Sequence, residues 1–210
     1  MPVQSLTSSV ALDNLKHNRL SRWPDGRRDK TRLVGIADVD FTPGFQLVQG
    51  ESIFTMGSCF ARNIEKRFGE AGFDLPTLQL NLPEQERASD TVNDLLNKYT
   101  VQSMLNELEW ALDPQKPFPR DEGLLCLENG LWHDPHLAGN VKPASLERVL
   151  ERRAIVTEIY RKLPECRVVV MTLGLVEAWY DTLTGVYLNT APPSGIARAH
   201  PGRFRMDILS

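Results

Sequence analysis

The chain of 210 residues is 41% hydrophobic and 24% charged, and its net charge is −3. This composition is typical of a single folded domain and excludes a disordered chain. The slightly acidic balance gives no basis for a nucleic-acid partner. No apolar run is long enough for membrane insertion or for a secretory signal, so we expect a cytoplasmic protein.

Residues 1–50 are rich in turn signals, and we interpret them as an N-terminal arm that leads into a domain at 51–210. Within this domain, the segment 113–145 carries many prolines and glycines. We interpret it as an insertion at the rim of a cleft, with a hairpin that turns at Asn129-Gly130.

The first element of the domain is a short apolar strand, Ile53–Met56, which ends at a glycine turn. A helix is predicted directly after that turn. Within it, Phe60, Ile64 and Phe68 recur every four residues, which predicts that they form its buried face.

Ser58 lies between this strand and this helix, and two interpretations are open. Serine is a favoured N-cap, because its hydroxyl accepts a hydrogen bond from a first-turn N–H. A serine there is also well placed to act as a nucleophile, since the free amides of the helix start can hold an oxyanion. Cys59, the next residue, is expected to be a buried small apolar side chain rather than a reactive thiol.

Further elements follow in chain order. Phe73–Leu78 is predicted to be a strand at a sheet edge because it contains a proline. Thr91–Leu112 is predicted to be one helix with an apolar stripe, and Ser145–Leu163 another. The pair Arg152-Arg153 in the latter helix is interpreted as part of its solvated face.

Arg167–Leu173 is the clearest strand, and its unbroken apolar run predicts a parallel strand covered on both faces. Residues 180–210 are interpreted as loop. The order of strands and helices predicts an α/β sandwich with a mainly parallel sheet. Ligands bind beyond the carboxyl ends of such strands, and both Ser58 and Gly174 are expected there.

Three segments resemble motifs of the GSCFA family. They are Gly57-Ser58-Cys59-Phe60-Ala61, the segment from Asn97 to Gln102 (NKYTVQ), and the segment from Thr172 to Trp179 (TLGLVEAW). The family is similar to a branch of the SGNH (GDSL-type) hydrolases. The resemblance implies a three-layer α/β sandwich with a mainly parallel sheet, of which 51–210 would be the N-terminal part, incomplete at the C-terminus.

The resemblance also implies a serine ester hydrolase with Ser58 as the nucleophile. The N–H groups of Ser58 and Gly174 would hold the oxyanion. Val176 stands where the superfamily has an asparagine, so Asn97 is the candidate for that side-chain donor. Gly174 is alternatively a turn glycine, Asn97 a helix-start cap, and Glu177 a helix cap or an orienting carboxylate.

The catalytic base is the missing element of this prediction. SGNH-type enzymes take an Asp and a His from a motif near the C-terminus, and this chain ends before such a motif. His200 is a weak candidate. His133 and His136 flank a proline, so we interpret them as surface or cleft-rim histidines. The cysteines lack ligand spacing; we expect reduced thiols, no metal and no cofactor.

Two functions therefore remain open. One is an esterase or acetylesterase-like enzyme whose substrate is a small-molecule or carbohydrate ester, such as an O-acylated polysaccharide. The other is a catalytically incomplete fragment or paralogue that acts as a carbohydrate-binding or scaffold module. A nucleotide-binding domain is set aside, because no glycine-rich phosphate loop follows a strand. The oligomeric state is not predicted.

Overall fold

The computed structural model describes residues 43–88, 92–139 and 141–208, together with Thr7 and His17. The chain divides into two compact units, Met1–Gln46 and Leu47–Ser210. The predicted N-terminal arm lies largely outside the described residues. Among the helices of the described part, none has the length and apolarity needed to cross a bilayer.

The second unit mixes helices with short strands, which confirms the α/β prediction at this coarse level. The strands are β1 (Ile53–Met56), β2 (Leu125–Cys126), β3 (Trp132–His133), β4 (Val168–Met171), β5 (Glu177–Asp181), β6 (Val186–Tyr187) and β7 (Phe204–Ile208). The α-helices are α1 (Cys59–Glu70), α2 (Val101–Leu112), α3 (Leu146–Arg161) and α4 (Ser194–Ala199). Short 3₁₀ helices span Pro76–Gln79, Glu84–Glu86, Val92–Leu96, Arg120–Gly123 and Leu163–Glu165.

The strands form three small sheets. β1 and β4 pair in parallel, with Ile53 opposite Val168 and Met56 opposite Met171, as the sequence predicts. β2 and β3 form the predicted antiparallel hairpin. β5 is the central strand of an antiparallel sheet, between β6 and β7.

The main core lies around β1, whose four residues are all buried. The ring of Phe54 in this strand contacts the buried ring of Tyr160 in α3, with centroids 5.4 Å apart. The segment that follows β3 also contributes to the core, since Leu137 and Ala138 are buried. The carboxyl end of β1 is therefore held within the main core of the unit.

The predicted buried face of α1 is wrong. Phe60 is 71% exposed and Ile64 37% exposed, whereas Arg62 and Glu65 are buried. The reason lies in the polar surface beneath the helix. Arg62 Nη2 donates to the Thr55 carbonyl at 2.9 Å and to the Thr55 hydroxyl at 3.3 Å, so the helix buries its charged face against the one polar residue of β1.

The prediction that Arg152 and Arg153 are solvated is also wrong, because each is only 3% exposed. Arg152 Nε donates to Glu86 Oε2 at 2.7 Å, and its Nη1 donates to the Lys142 carbonyl at 2.7 Å. Arg153 pairs with acidic groups described below. Long charged side chains can be buried when every charge finds a partner, and such partners cannot be seen in the spacing of one helix.

Two predicted elements have different structures. Phe73–Leu78 is not a strand, because a single parallel bridge joins Asp74 to Ser52 and a 3₁₀ helix then starts at Pro76, which has no N–H to donate. The predicted helix up to Leu112 is interrupted. Its α-helical part starts only after Thr100, whose side chain caps it.

The predictions for the C-terminal third also need correction. Val169 and Met171 of β4 are 37% and 47% exposed, so this strand is not covered on both faces. Residues 180–210 are not only loop, because they contribute to β5, β6, α4 and β7. Glu177 begins β5 and therefore caps no helix. Short antiparallel strands depend on their pairing, which the local composition of this region does not reveal.

Candidate functional site

Three chain segments meet at the carboxyl end of β1. On one side, Gly57 forms a parallel bridge with Asn97, and the Lys98 N–H donates to the Gly57 carbonyl at 2.8 Å. On the other side, the Thr172 N–H donates to the Met56 carbonyl at 2.9 Å. The turn after β1 is thus flanked by the segments that contain Asn97 and Gly174.

Backbone and amide hydrogen bonds also join the two flanking segments. The Leu175 N–H donates to the Tyr99 carbonyl at 3.2 Å. Asn189, which follows β6, accepts from the Tyr99 N–H at 3.0 Å and donates to the Asn97 carbonyl at 2.8 Å. We call the turn at 57–58, the segment 97–100 and the segment 172–175 the strand-end site.

Gly57 has a backbone φ of +143°, which L side chains rarely adopt. A Cβ atom at this position would lie 2.7 Å from the Thr172 carbonyl oxygen. Both constraints require glycine here. This close approach brings the end of β1 against the end of β4.

Ser58 is the N-cap of α1, as one of the two interpretations predicts. Its backbone is extended, and its Oγ accepts from the Phe60 N–H at 3.4 Å, which is a long hydrogen bond. The side chain is partly exposed. The cap of α1 is therefore held by a long hydrogen bond, and Ser58 is partly accessible to solvent.

Gly174 lies in the exposed segment after β4, and a Cβ atom there would meet no atom within 4 Å. Asn97 is buried, with 5% exposure. It is not a helix-start cap, because Thr100 holds that position for α2. The structure therefore brings the segments of Ser58, Asn97 and Gly174 to one strand end.

The side chain of Asn97 contacts the Tyr99 phenol. Burial raises the pKa of Tyr99, and a hydrogen bond with Asn97 partly opposes this rise. The Asn97 Oδ1 atom is buried and has no hydrogen-bond partner among the described residues. Such an unsatisfied polar atom, next to the turn of Ser58, is unusual in a folded protein.

A network of buried charges supports the segment 97–100 of the strand-end site. Lys98 Nζ donates to Glu107 Oε1 and to the His136 carbonyl, each at 2.5 Å. Arg153 donates to both carboxylate oxygens of Glu107 at 2.7 Å and to Asp134 Oδ2 at 2.9 Å. The sequence patterns did not predict this network. The one feature that indicates it is that charged residues interrupt the apolar positions of α2 and α3.

The charges of this network balance, because the cations Lys98 and Arg153 pair with the anions Glu107 and Asp134. Burial alone would raise the pKa of Glu107, but Arg153 and Lys98 outweigh it and hold that pKa below its usual value. Burial lowers the pKa of Lys98, and Glu107 opposes the change. Because Lys98 follows Asn97 directly, its side chain anchors the segment that borders Gly57.

His136 is buried at 2% exposure, so the prediction of a surface or rim histidine is wrong for this residue. Its ring packs edge-on against Trp110 and Phe118, with centroids 4.8 and 5.7 Å away. Burial lowers the pKa of His136 to about 4. His136 is therefore neutral at physiological pH and belongs to the core.

The other candidates are placed as follows. His200 is exposed at the end of α4. Cys59 is exposed rather than buried, contrary to the prediction, because the first residue of α1 projects from the body of the unit. Among the described residues, the hydrogen bond found for the Ser58 hydroxyl is the one from Phe60 N–H.

The fold and the strand-end site define an α/β protein with a partly exposed serine at a strand-to-helix turn. A family model described as the GSCFA family matches residues 52–210, and the chain belongs to this family. Neither a search of curated proteins nor a search of solved structures found a match.

Proposed function

We propose that the protein is an SGNH-type serine hydrolase that cleaves a carboxylic ester at the strand-end site. The observation that carries the proposal is the meeting of Ser58, the Asn97 segment and the Gly174 segment at one strand end. Parallel strands of α/β proteins place ligands at this edge. On this proposal, the unit would be part of a three-layer sandwich.

In the proposed reaction, the Ser58 oxygen attacks the acyl carbon of the ester and loses its proton to a base. The N–H groups of Ser58 and Gly174 hold the oxyanion, and Asn97 is the candidate for a third donor. The alcohol leaves with a proton. Water then cleaves the acyl-enzyme, which releases the acid and restores the Ser58 hydroxyl.

Labelling with a fluorophosphonate tests this role of Ser58. We expect the wild-type protein to be labelled and Ser58→Ala not to be labelled. Hydrolysis of p-nitrophenyl acetate should fall to background in the same variant.

Ser145→Ala is the matched control, because Ser145 also caps a helix, accepting from the Arg148 N–H at 3.3 Å. Each variant should lose about 1 kcal/mol of helix-cap stability. Only Ser58→Ala should lose labelling. Equal labelling of Ser58→Ala and the wild type would contradict the proposal.

The second candidate function is a non-catalytic module that binds a carbohydrate or acts as a scaffold. It is favoured by one observation: among the described residues of the second unit, no hydrogen bond joins His133, His136 or His200 to Ser58, whose hydroxyl instead caps α1. This function predicts no labelling of the wild-type protein and no ester turnover above background. The labelling experiment therefore separates the two functions.

A further inference from the structure

A groove of about 380 Å³ adjoins the strand-end site. It is lined by Leu175, the residue after Gly174, and by Tyr99. Trp179 of β5 and the buried Leu188 supply further apolar surface. The groove is therefore continuous with the segment that is proposed to hold the oxyanion.

Two polar side chains of the groove, Asn189 and Thr190, are already engaged with the protein. Asn189 uses its oxygen for the Tyr99 N–H and its amide nitrogen for the Asn97 carbonyl. Thr190 donates to the Pro135 carbonyl at 3.3 Å. A ligand with many hydroxyl groups would find these partners occupied, whereas a hydrocarbon group needs none.

The exposed apolar surface gives such a hydrocarbon group a reason to bind. Leu175 is 56% exposed, although its backbone N–H is hydrogen-bonded to the Tyr99 carbonyl. Covering this side chain would remove apolar area from water on both partners. Glu177 also lines the groove, and its side chain is exposed, so a negatively charged acyl group would be repelled.

We propose that this groove is the acyl subsite of the enzyme and takes the uncharged aliphatic chain of the ester's acid. The inference rests on the proposed ester hydrolysis. With the ester carbonyl at Gly174, the attached chain would lie along Leu175 and Trp179. The sugar or alcohol portion of the substrate then faces away from the groove.

Turnover of a series of p-nitrophenyl esters tests this subsite. Each methylene that the groove buries should increase kcat/KM about fourfold, so the butyrate should exceed the acetate about tenfold or more. Leu175→Asp should abolish this preference. Val176→Asp is the matched control, because Val176 is the next residue, is 48% exposed and does not line the groove.

A binding experiment separates the subsite from catalysis. Hexanamide, which is neutral and resists hydrolysis, should bind the wild type, Ser58→Ala and Val176→Asp in saturation-transfer NMR, but bind Leu175→Asp at least tenfold more weakly. This pattern without any ester turnover would support the groove and contradict the hydrolase. Turnover that does not depend on chain length would contradict the groove alone.

Two further results would overturn the subsite. One is equal binding of hexanamide to Leu175→Asp and to the wild type. The other is binding of methyl β-D-glucopyranoside in the groove without binding of hexanamide. Circular dichroism of both Asp variants should match the wild type, since both replaced side chains are exposed.

Discussion

Gly57 is the residue at which the geometry of the strand-end site is most constrained. Its φ of +143° and the nearby Thr172 carbonyl leave no room for a side chain. Ser58 follows directly, so the same turn that brings β1 against the end of β4 also exposes the hydroxyl. A single glycine thus links the packing of the sheet to the proposed nucleophile.

Gly57→Ala should lower the free energy of unfolding by about 3 kcal/mol or more, since backbone strain adds to a clash with backbone. Gly130→Ala is the control, because Gly130 also has a positive φ but a Cβ there meets no atom within 4 Å. It should cost only about 1 to 2 kcal/mol. Equal urea midpoints for the two variants would contradict the importance of the contact with Thr172.

Among the elements, the segment 97–100 depends on a buried cation. The Lys98 side chain joins this segment to α2 through Glu107 and to the segment after β3 through the His136 carbonyl. The segment has few ladder hydrogen bonds of its own, since an isolated bridge connects it to β1. Its position beside Gly57 therefore depends on a side chain that points away from the site.

Lys98→Met should lower the free energy of unfolding by about 3 kcal/mol, because removing one partner leaves buried acceptors unsatisfied. Urea denaturation measures this loss. Lys116→Met, which breaks the exposed pair with Glu109, should leave the midpoint nearly unchanged. If both substitutions had the same small effect, Lys98 would not anchor the segment.

At the scale of the whole unit, the core combines apolar packing with buried charge. The rings of Trp110 and Phe118 surround His136, and Arg153 lies over Phe118 at 5.1 Å. Asp134 Oδ1 accepts from the backbone N–H of His136 at 2.9 Å. The free energy of unfolding of the unit should consequently depend on pH through the buried ring of His136.

The free energy of unfolding should fall by about 3 kcal/mol as the pH decreases from 6.5 to 4, because the His136 pKa is about 4 in the folded protein and 6.5 ordinarily. In this range the unfolded chain binds a proton that the folded protein does not bind. The stabilisation is therefore complete above pH 6.5 and is lost on acidification. Urea unfolding between pH 7 and 4.5 measures the slope.

Other titratable groups near His136 also change the free energy of unfolding at the acid end of this pH range. Burial alone would raise the pKa values of Asp134 and Glu107, but Arg153 and Lys98, with other groups, together hold both pKa values below their usual range, so these carboxylates add a loss of stability near and below pH 4.5. Burial lowers the pKa of His133 as well. His136→Phe should therefore reduce the slope between pH 6.5 and 5 without removing it entirely.

NMR titration assigns the slope to one residue. The ring proton signals of His136 should not shift above pH 5 in the folded protein. A His136 signal that titrates near pH 6.5 would contradict the buried, neutral state.

The sequence alone predicted the elements that are determined by residues close together in the chain. The apolar run of β1, the glycine turn and the Asn-Gly hairpin follow from local patterns, and the serine cap of α1 is one of the two interpretations that these patterns left open. Chain order predicted a parallel sheet, and β1 and β4 pair in parallel. The family motifs also predicted which segments belong to one site. The catalytic roles of Ser58, Gly174 and Asn97 stay predictions.

The tertiary structure alone decided which charged side chains are buried. Arg62, Glu65 and Arg153 lie on helix faces that periodicity assigns to solvent, yet each meets a partner on another element: Arg62 and Glu65 meet Thr55 of β1, and Arg153 meets Glu107 of α2. It also decided the sheet of β5, β6 and β7, whose strands are too short to form without one another. Burial of charge and the pairing of β5 with β7 depend on partners that belong to other elements, and the pattern within one element does not contain that information.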